Sequence, residues 1–305
     1  MKSMNPLFRS LWLACVASVL MISLIADGTT APAVQSGQGT RKLRLSLFRT
    51  GSLSMGSPDS AKILLDALPL VRHIEKETGA KVEMTVPTDY GAVIEAMVNK
   101  QVDIAFFGGL EYVQASARAG AKALVQRRED QDWRTVFIAQ PQLQIHSLKD
   151  LNGHSFAFGD VTSVAGHVMP EYYMREAKID TKVIENALFT GRHDYTALAV
   201  ANKKADAGAM AEWMFQQMMR EGKITEQQVR VFWSPPPFVD SVWAARPDLD
   251  PKLAESFANA FLKLDAKNPE YKVILDFFRA TKYFRAKDSD YDLLRQGAKL
   301  ARLIE

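Results

Sequence analysis

The chain is nearly without cysteine: Cys15 is the single one in 305 residues. It lies in an apolar stretch close to the N-terminus. A folded portion that begins after that stretch has no disulfide, thiolate nucleophile or cysteine-ligated metal. Three chemistry-bearing patterns are also missing: H-E-x-x-H, G-x-S-x-G and the phosphate-cradling G-x-x-x-x-G-K-[ST]. Zinc-protease, serine-esterase and nucleotide-hydrolase readings lose their basis. We therefore assign no catalytic residue, no metal ligand and no cofactor. Charge of one sign is scarce as well: the formal net charge is only +3, and no Lys/Arg run with interleaved aromatics stands out. No nucleic-acid partner is expected.

What is present reads as an exported protein. Lys2 and Arg9 precede an uncharged stretch from Ser10 to Ala26, and Ala31-Pro32-Ala33 follows in a small-residue segment. Basic, apolar and small-residue regions in that order make residues 1–33 a secretory signal peptide, or an N-terminal membrane anchor if uncleaved. Trp12 stands where a lipoprotein signal needs a small or aliphatic residue before Cys15, so lipidation is not expected. The remainder, in a chain 47% hydrophobic and 24% charged, is long enough for two ordinary cores.

The periodicity has the order of an α/β protein. Leu43, Leu45 and Leu47 alternate with polar residues as a first strand, and a Gly/Ser-rich loop, 51–60, follows at its carboxyl end. Leu64, Leu68, Val71 and Ile74 predict a helix over most of 61–78, interrupted early by Pro69 and stopped by Gly79. Val82, Met84 and Val86 predict a second strand. A helix capped by Thr88 or Asp89 runs to about Lys100, and a short apolar strand from Asp103 to Phe107 ends in Gly108-Gly109. A second series starts at Phe156–Phe158, with helices near 166–177 and 194–203 and a strand at Asp206–Met210. Asp89-Tyr90-Gly91-Ala92-Val93 with Asn99-Lys100-Gln101-Val102-Asp103 parallels Asp194-Tyr195-Thr196-Ala197-Leu198 with Asn202-Lys203-Lys204-Ala205-Asp206. Either this is coincidence in a common helix-turn-strand unit, or two lobes share one construction. Pro235-Pro236-Pro237 cannot continue a ladder and marks a return crossing. Leu253, Phe257, Phe261 and Leu264, then Leu293, Leu300 and Ile304, predict amphipathic helices that cover the first sheet.

Four segments in order, DYGAVIEAMVNKQVDIAFFG (89–108), SLKDLNGHSFAFGDVTSVAGHVMP (147–170), GRHDYTALAVANKKADAG (191–208) and WSPPPFVDSVWAARPDL (233–249), resemble the phosphate/phosphite/phosphonate family of periplasmic substrate-binding proteins. The resemblance implies a two-lobed α/β fold of the type II periplasmic-binding-protein (Venus flytrap) kind, each lobe a mixed, mostly parallel sheet flanked by helices. Lobe 1 is then 41–140 plus 236–305, and lobe 2 is 141–235. It also implies a monomeric, non-enzymatic periplasmic protein that holds a small polar anion or zwitterion for an inner-membrane ABC permease, or alternatively for a membrane sensor kinase.

Residue by residue, the family's Ser-Thr-Ser oxyanion loop matches Ser163, Val164 and Ala165, ahead of Gly166 and His167. Amides at a helix start suit an anion, but two short hydroxyl donors are missing. His193 matches the family's ligand-facing histidine. Glu212 and Asp240 fall at or beside positions where aminophosphonate binders place carboxylates against an amine, with Trp213 or Trp243 available as a cation–π face. The first-lobe candidates are Arg49, Ser52, Tyr90, Gly108 and Gly109. Arg49 is the one fixed cation near the expected cleft, and its fork suits a carboxylate.

Overall fold

The computed structural model describes residues 41–47, 59–87 and 90–305. The expected leader at 1–33 lies outside the described residues, as do Arg49, Ser52, the Tyr90 side chain and the Thr88/Asp89 cap. Among the described residues no helix is long and apolar enough to cross a membrane.

The first run comprises β1 Lys42–Leu47, α1 Ser60–Asp66, α2 Leu68–Thr78, β2 Lys81–Thr85, α3 Tyr90–Val98, β3 Ile104–Phe107, α4 Gly109–Ala119 and β4 Lys122–Arg127. The second comprises β5 Thr135–Ala139, β6 Phe156–Phe158, α5 Met169–Glu176, α6 Thr181–Glu185, β7 Leu188–Phe189, α7 His193–Ala201, β8 Ala207–Ala211, α8 Glu212–Arg220 and β9 Arg230–Trp233. The last comprises β10 Val242–Ala245, α9 Pro251–Leu262, α10 Pro269–Phe277, β11 Tyr283–Arg285 and α11 Asp292–Leu300. Two sheets result, ordered β2-β1-β3-β10-β4-β11 and β7-β6-β8-β5-β9. In the first, β1 pairs parallel with β2 and β3, whereas the returning β10 is inserted antiparallel between β3 and β4. In the second, β6 is parallel to β7 and β8, and β5 is antiparallel to β8 and β9.

Because β5 belongs to the second sheet, the first crossing falls at 128–134, earlier than the boundary at 140 that the sequence predicts. The run Thr135–Ala139 is buried throughout, so its apolar composition carries no mark of which sheet it joins. The return crossing runs beside it: Trp133 and Phe238 exchange both backbone hydrogen bonds (3.1 and 2.9 Å), and the Asp240 N–H donates to the Asp130 carbonyl at 2.9 Å. The helix expected over most of 61–78 divides in two next to the interruption expected at Pro69. Pro69 has no N–H to continue α1, and it sits in the first turn of α2, where none is needed.

The lettered repeat is a structural repeat. Lys100 and Lys203 both take left-handed conformations (φ 57° and 59°) after α3 and α7. Gln101 and Lys204 then donate to the Ala96 and Ala199 carbonyls, both at 2.7 Å. The carboxylates of Asp103 and Asp206 accept the N–H of Arg44 (2.8 Å) and Ser155 (2.9 Å), tying each turn to the start of a neighbouring strand. The two halves are therefore built alike.

Each sheet has helices on both faces. Leu43, Leu45, Leu70, Ile74, Trp243, Phe257, Phe261 and Phe278 form one core of the first lobe. Phe137, Phe156, Phe158 and Met174 on one face, and Val136, Ile138, Val200 and Met210 on the other, pack the second. A further cluster joins first-lobe Phe107, Leu110, Leu294 and Ala298 to second-lobe Ala165, Val168, Met169 and Ala211. Here α11 lies on α5 so closely that a Cβ on Gly297 would meet Met169 Sδ at 3.3 Å and Val168 Cγ1 at 3.4 Å.

Candidate ligand-binding site

The carboxyl ends of β3 and β6 carry the candidate residues, the edge where open α/β sheets place ligands. On the second lobe, Ser163 caps a continuous helical segment whose first turn, Val164–Val168, is π-helical before it becomes α5. The wide turn gives the Ser163 carbonyl two donors, His167 N–H (2.9 Å) and Val168 N–H (3.0 Å). Ser163 Oγ accepts the Gly166 N–H at 3.1 Å, so its own proton is free to face outward. The Val164 and Ala165 N–H groups have no acceptor among the described residues. Thr135 Oγ1 donates to the Ala165 carbonyl and holds the turn against β5.

His193 lies flat on this turn. A Cβ on Gly166 would stand 3.0 Å from both its Cε1 and Ser163 Oγ, so the ring's close approach favours glycine there. Nδ1 accepts the Ala211 N–H at 3.4 Å, which assigns the proton to Nε2. Burial pulls its pKa down to about 4, against the opposing pull of Asp194 and Asp160, so at neutral pH the ring is an uncharged Nε2–H donor. Ser163, Val164, Ala165, Gly166 and His193 thus come together in one donor cluster.

His167 does not join them. It turns into the lobe: Nδ1 bonds to the Val161 carbonyl (2.6 Å), Nε2 bonds to Glu171 (2.9 Å), and the ring packs edge-on against Phe158 and Phe189. One residue along a helix rotates a side chain by about 100°, enough to move it from cleft to core. Trp243 is likewise no cation–π face, being wholly buried among Phe106, Phe257, Phe261 and Phe278.

On the first lobe, Gly108 caps α4 and Gly109 opens it, and the Gly109 amide is already engaged. Asp240 Oδ1 accepts the Gly109 N–H at 3.0 Å. A Cβ on Gly108 would lie 2.4 Å from Glu111 Oε2, and one on Gly109 would lie 3.0 Å from Asp240 Oδ1 and 2.6 Å from Leu294 Cδ2. The glycines are there to let two carboxyl groups close over the start of α4. Burial, then the neighbouring Asp130, pushes Asp240 up to about 6, and the Gly109 N–H opposes this. Asp130 itself is held in a buried bidentate pair with Arg127 (2.6 and 2.5 Å). Glu212, at the start of α8, is partly exposed and 3.9 Å from Arg134.

Sequence reasoning missed Glu111. It is 7% exposed, and burial pushes its pKa up to about 8, opposed by its own amide and reinforced by Asp240. An acid in a helix's first turn reads as an ordinary solvated dipole partner; only the adjoining Gly-Gly hinted at a close approach. Among the described residues no three His, Cys, Asp or Glu side chains converge as a metal site.

Residues 56–291 match the family model for phosphonate periplasmic substrate-binding proteins of ABC transporters. The chain belongs to this family. Like its other members, this phosphonate-family binding protein is a periplasmic substrate-binding component that serves an ABC transporter, which favours transport over the sensor alternative. PhnD1 of Prochlorococcus marinus is 28% identical over 246 residues, 76% of this chain and 83% of that protein. The phosphonates-binding periplasmic protein of Escherichia coli is 25% identical over 271 residues, 86% and 77% of the two chains. The structure of PhnD1 in complex with methylphosphonate superposes with a TM-score of 0.65 at 25% identity, covering 87% of this chain and 99% of that one. The two-lobed periplasmic-binding-protein architecture expected from the sequence is the one the family shares.

Proposed function

We propose that this binding protein captures a small oxyanion of the phosphonate, phosphite and phosphate class between two lobes, residues 41–130 with 240–305 and residues 134–234. It does so as a monomer without chemical turnover, after removal of residues 1–33. The observation that carries the reading is the donor cluster at the second-lobe end. The unengaged Val164 and Ala165 amides lie at the positive end of a helical segment, beside the Ser163 hydroxyl and the uncharged His193 Nε2–H. All are donors, and none carries a charge that would need a counter-ion. Binding of methylphosphonate by PhnD1 and phosphate import by PhnD of Mycolicibacterium smegmatis point to the same ligand class. Val164 and Ala165 replace hydroxyl donors each worth about 1.5–3 kcal/mol to a charged acceptor, so affinity should be below what a full hydroxyl cradle gives.

Isothermal titration of the mature protein with methylphosphonate, phosphite, phosphate, methylsulfonate and amino acids tests this. At least one of the first three should bind, and Val164→Thr should tighten that binding by roughly ten- to a hundredfold. Binding of amino acids alone, with all three phosphorus oxyanions silent, would sink the proposal.

A further inference from the structure

The first-lobe end of the site holds two carboxyl groups where the start of a helix would otherwise receive an anion. Glu111 is buried, its carboxyl lies over Gly108, and apart from its own amide no group among the described residues hydrogen-bonds to it. Asp240 closes the same turn from β10's side, accepting the Gly109 N–H while staying partly exposed. Among the described residues no cation pairs with Glu111. Arg127 is committed to Asp130 and to the Phe278 carbonyl. The Tyr112 hydroxyl donates to Asp288 (2.6 Å), and the Tyr291 hydroxyl donates to Gln126 (3.1 Å). A buried acid that has only its own amide for a partner, beside a second acid, is costly unless something completes it.

We propose that Glu111 and Asp240 together read the ligand's protonation state: they take an oxyanion that still carries one acidic proton, Asp240 accepting that proton's hydrogen bond and Glu111 donating its own to a second ligand oxygen, and they exclude the fully ionised form. This rests on the oxyanion reading above and makes Glu111 a specificity-determining residue of that site. The logic is complementary in charge. At neutral pH the pair holds one proton between two carboxyls, because Glu111 stays protonated after Asp240 has ionised. It therefore offers one donor and one acceptor. A monoprotonated phosphonate presents the matching acceptor and donor, whereas a dianion offers no donor and places charge against the Asp240 carboxylate.

Titrating the intact mature protein with methylphosphonate from pH 5.5 to 9 tests the pair. Wild-type affinity should fall about tenfold per pH unit once the ligand loses its second proton, and more steeply once Glu111 also ionises. Glu111→Gln, checked for folding by its melt, keeps a donor but cannot ionise. With its own affinity at pH 6 as the reference, its binding should weaken by about tenfold per pH unit once the ligand loses its second proton, without the steeper limb. Asp240→Asn should bind methylsulfonate, which has no acidic proton, at least tenfold tighter than wild type does. A second measurement needs no variant: binding enthalpies of wild type in two buffers of different ionisation heat should give uptake on the order of one to two protons per ligand at pH 8.5. Zero uptake there, or a Glu111→Gln pH profile parallel to wild type, overturns the inference and leaves the oxyanion reading standing. Failure of wild type to bind any oxyanion at any pH overturns both.

Discussion

At the scale of single residues, Glu111 and His193 are both shifted from their ordinary pKa by burial, and they act on stability in opposite pH ranges. Glu111 has a folded pKa near 8, above its usual 4.5, so the fold prefers the protonated acid. The stability this represents is complete below about pH 4.5 and is lost as pH rises through 8. His193 has a folded pKa near 4, below 6.5, so the fold prefers the neutral ring. That contribution is complete above 6.5 and is lost as pH falls towards 4. Ligand-free Glu111→Gln should therefore melt higher than wild type at pH 8.5 and at about the same temperature at pH 5, with a gain of roughly 2–4 °C for each kcal/mol recovered. His193→Gln should show its gain only on the acid side. Differential scanning fluorimetry across pH 4.5–9 checks both, and a pH-independent offset in either variant would contradict the assignment. His193 was legible in the sequence through its neighbours in a resembling segment. Glu111 was not, because composition and spacing do not distinguish a buried acid from a solvated one; only the packing of α4 against β10 does.

At the scale of elements, legibility followed how local the cause is. The left-handed Lys100 and Lys203 are short-range features that the repeated letters announced; Asp103 and Asp206 recur in the same letters, although the residues they tie, Arg44 and Ser155, lie 59 and 51 positions away. The break at Pro69 is local as well, whereas the sheet to which β5 belongs and the insertion of β10 between β3 and β4 depend on partners far along the chain. The return segment leaves another mark in the start of α4. Gly109 has Leu294 from α11 and Asp240 from the segment before β10 within contact of where a Cβ would stand, including the Asp240 Cα at 3.3 Å. Gly109→Ala should cost about 1–3 kcal/mol in urea unfolding, because backbone as well as side chain must yield. It should also weaken ligand binding, since Asp240 is displaced. Gly79→Ala offers a contrast: nothing lies within 4 Å there, so its cost should come only from the left-handed φ of 67°. Equal effects on ligand affinity from the two variants would refute the role given to Gly109.

At the scale of the whole molecule, two lobes built alike are joined by the paired segments around Trp133 and Phe238, and α11 of the first lobe lies against α5 of the second. Any opening of the lobes must separate or slide that helix pair, because Leu294 and Ala298 anchor α11 to its own sheet while Gly297 lies on Val168 and Met169. A helix pair so placed is expected to set part of the balance between open and closed forms, with a ligand that binds the closed form supplying the difference. A side chain at Gly297 would wedge the pair apart without touching the donor cluster at Ser163–Gly166. Gly297→Leu should thus lower affinity for whichever oxyanion binds by on the order of tenfold, the low end of what 1–3 kcal/mol of overpacking delivers. Small-angle scattering should show the ligand-induced compaction diminished, while the pH profile of binding keeps its wild-type shape because Glu111 and Asp240 are unchanged. A Gly297→Leu protein with wild-type affinity and wild-type compaction would show that α11 rides with its lobe and has no part in closure.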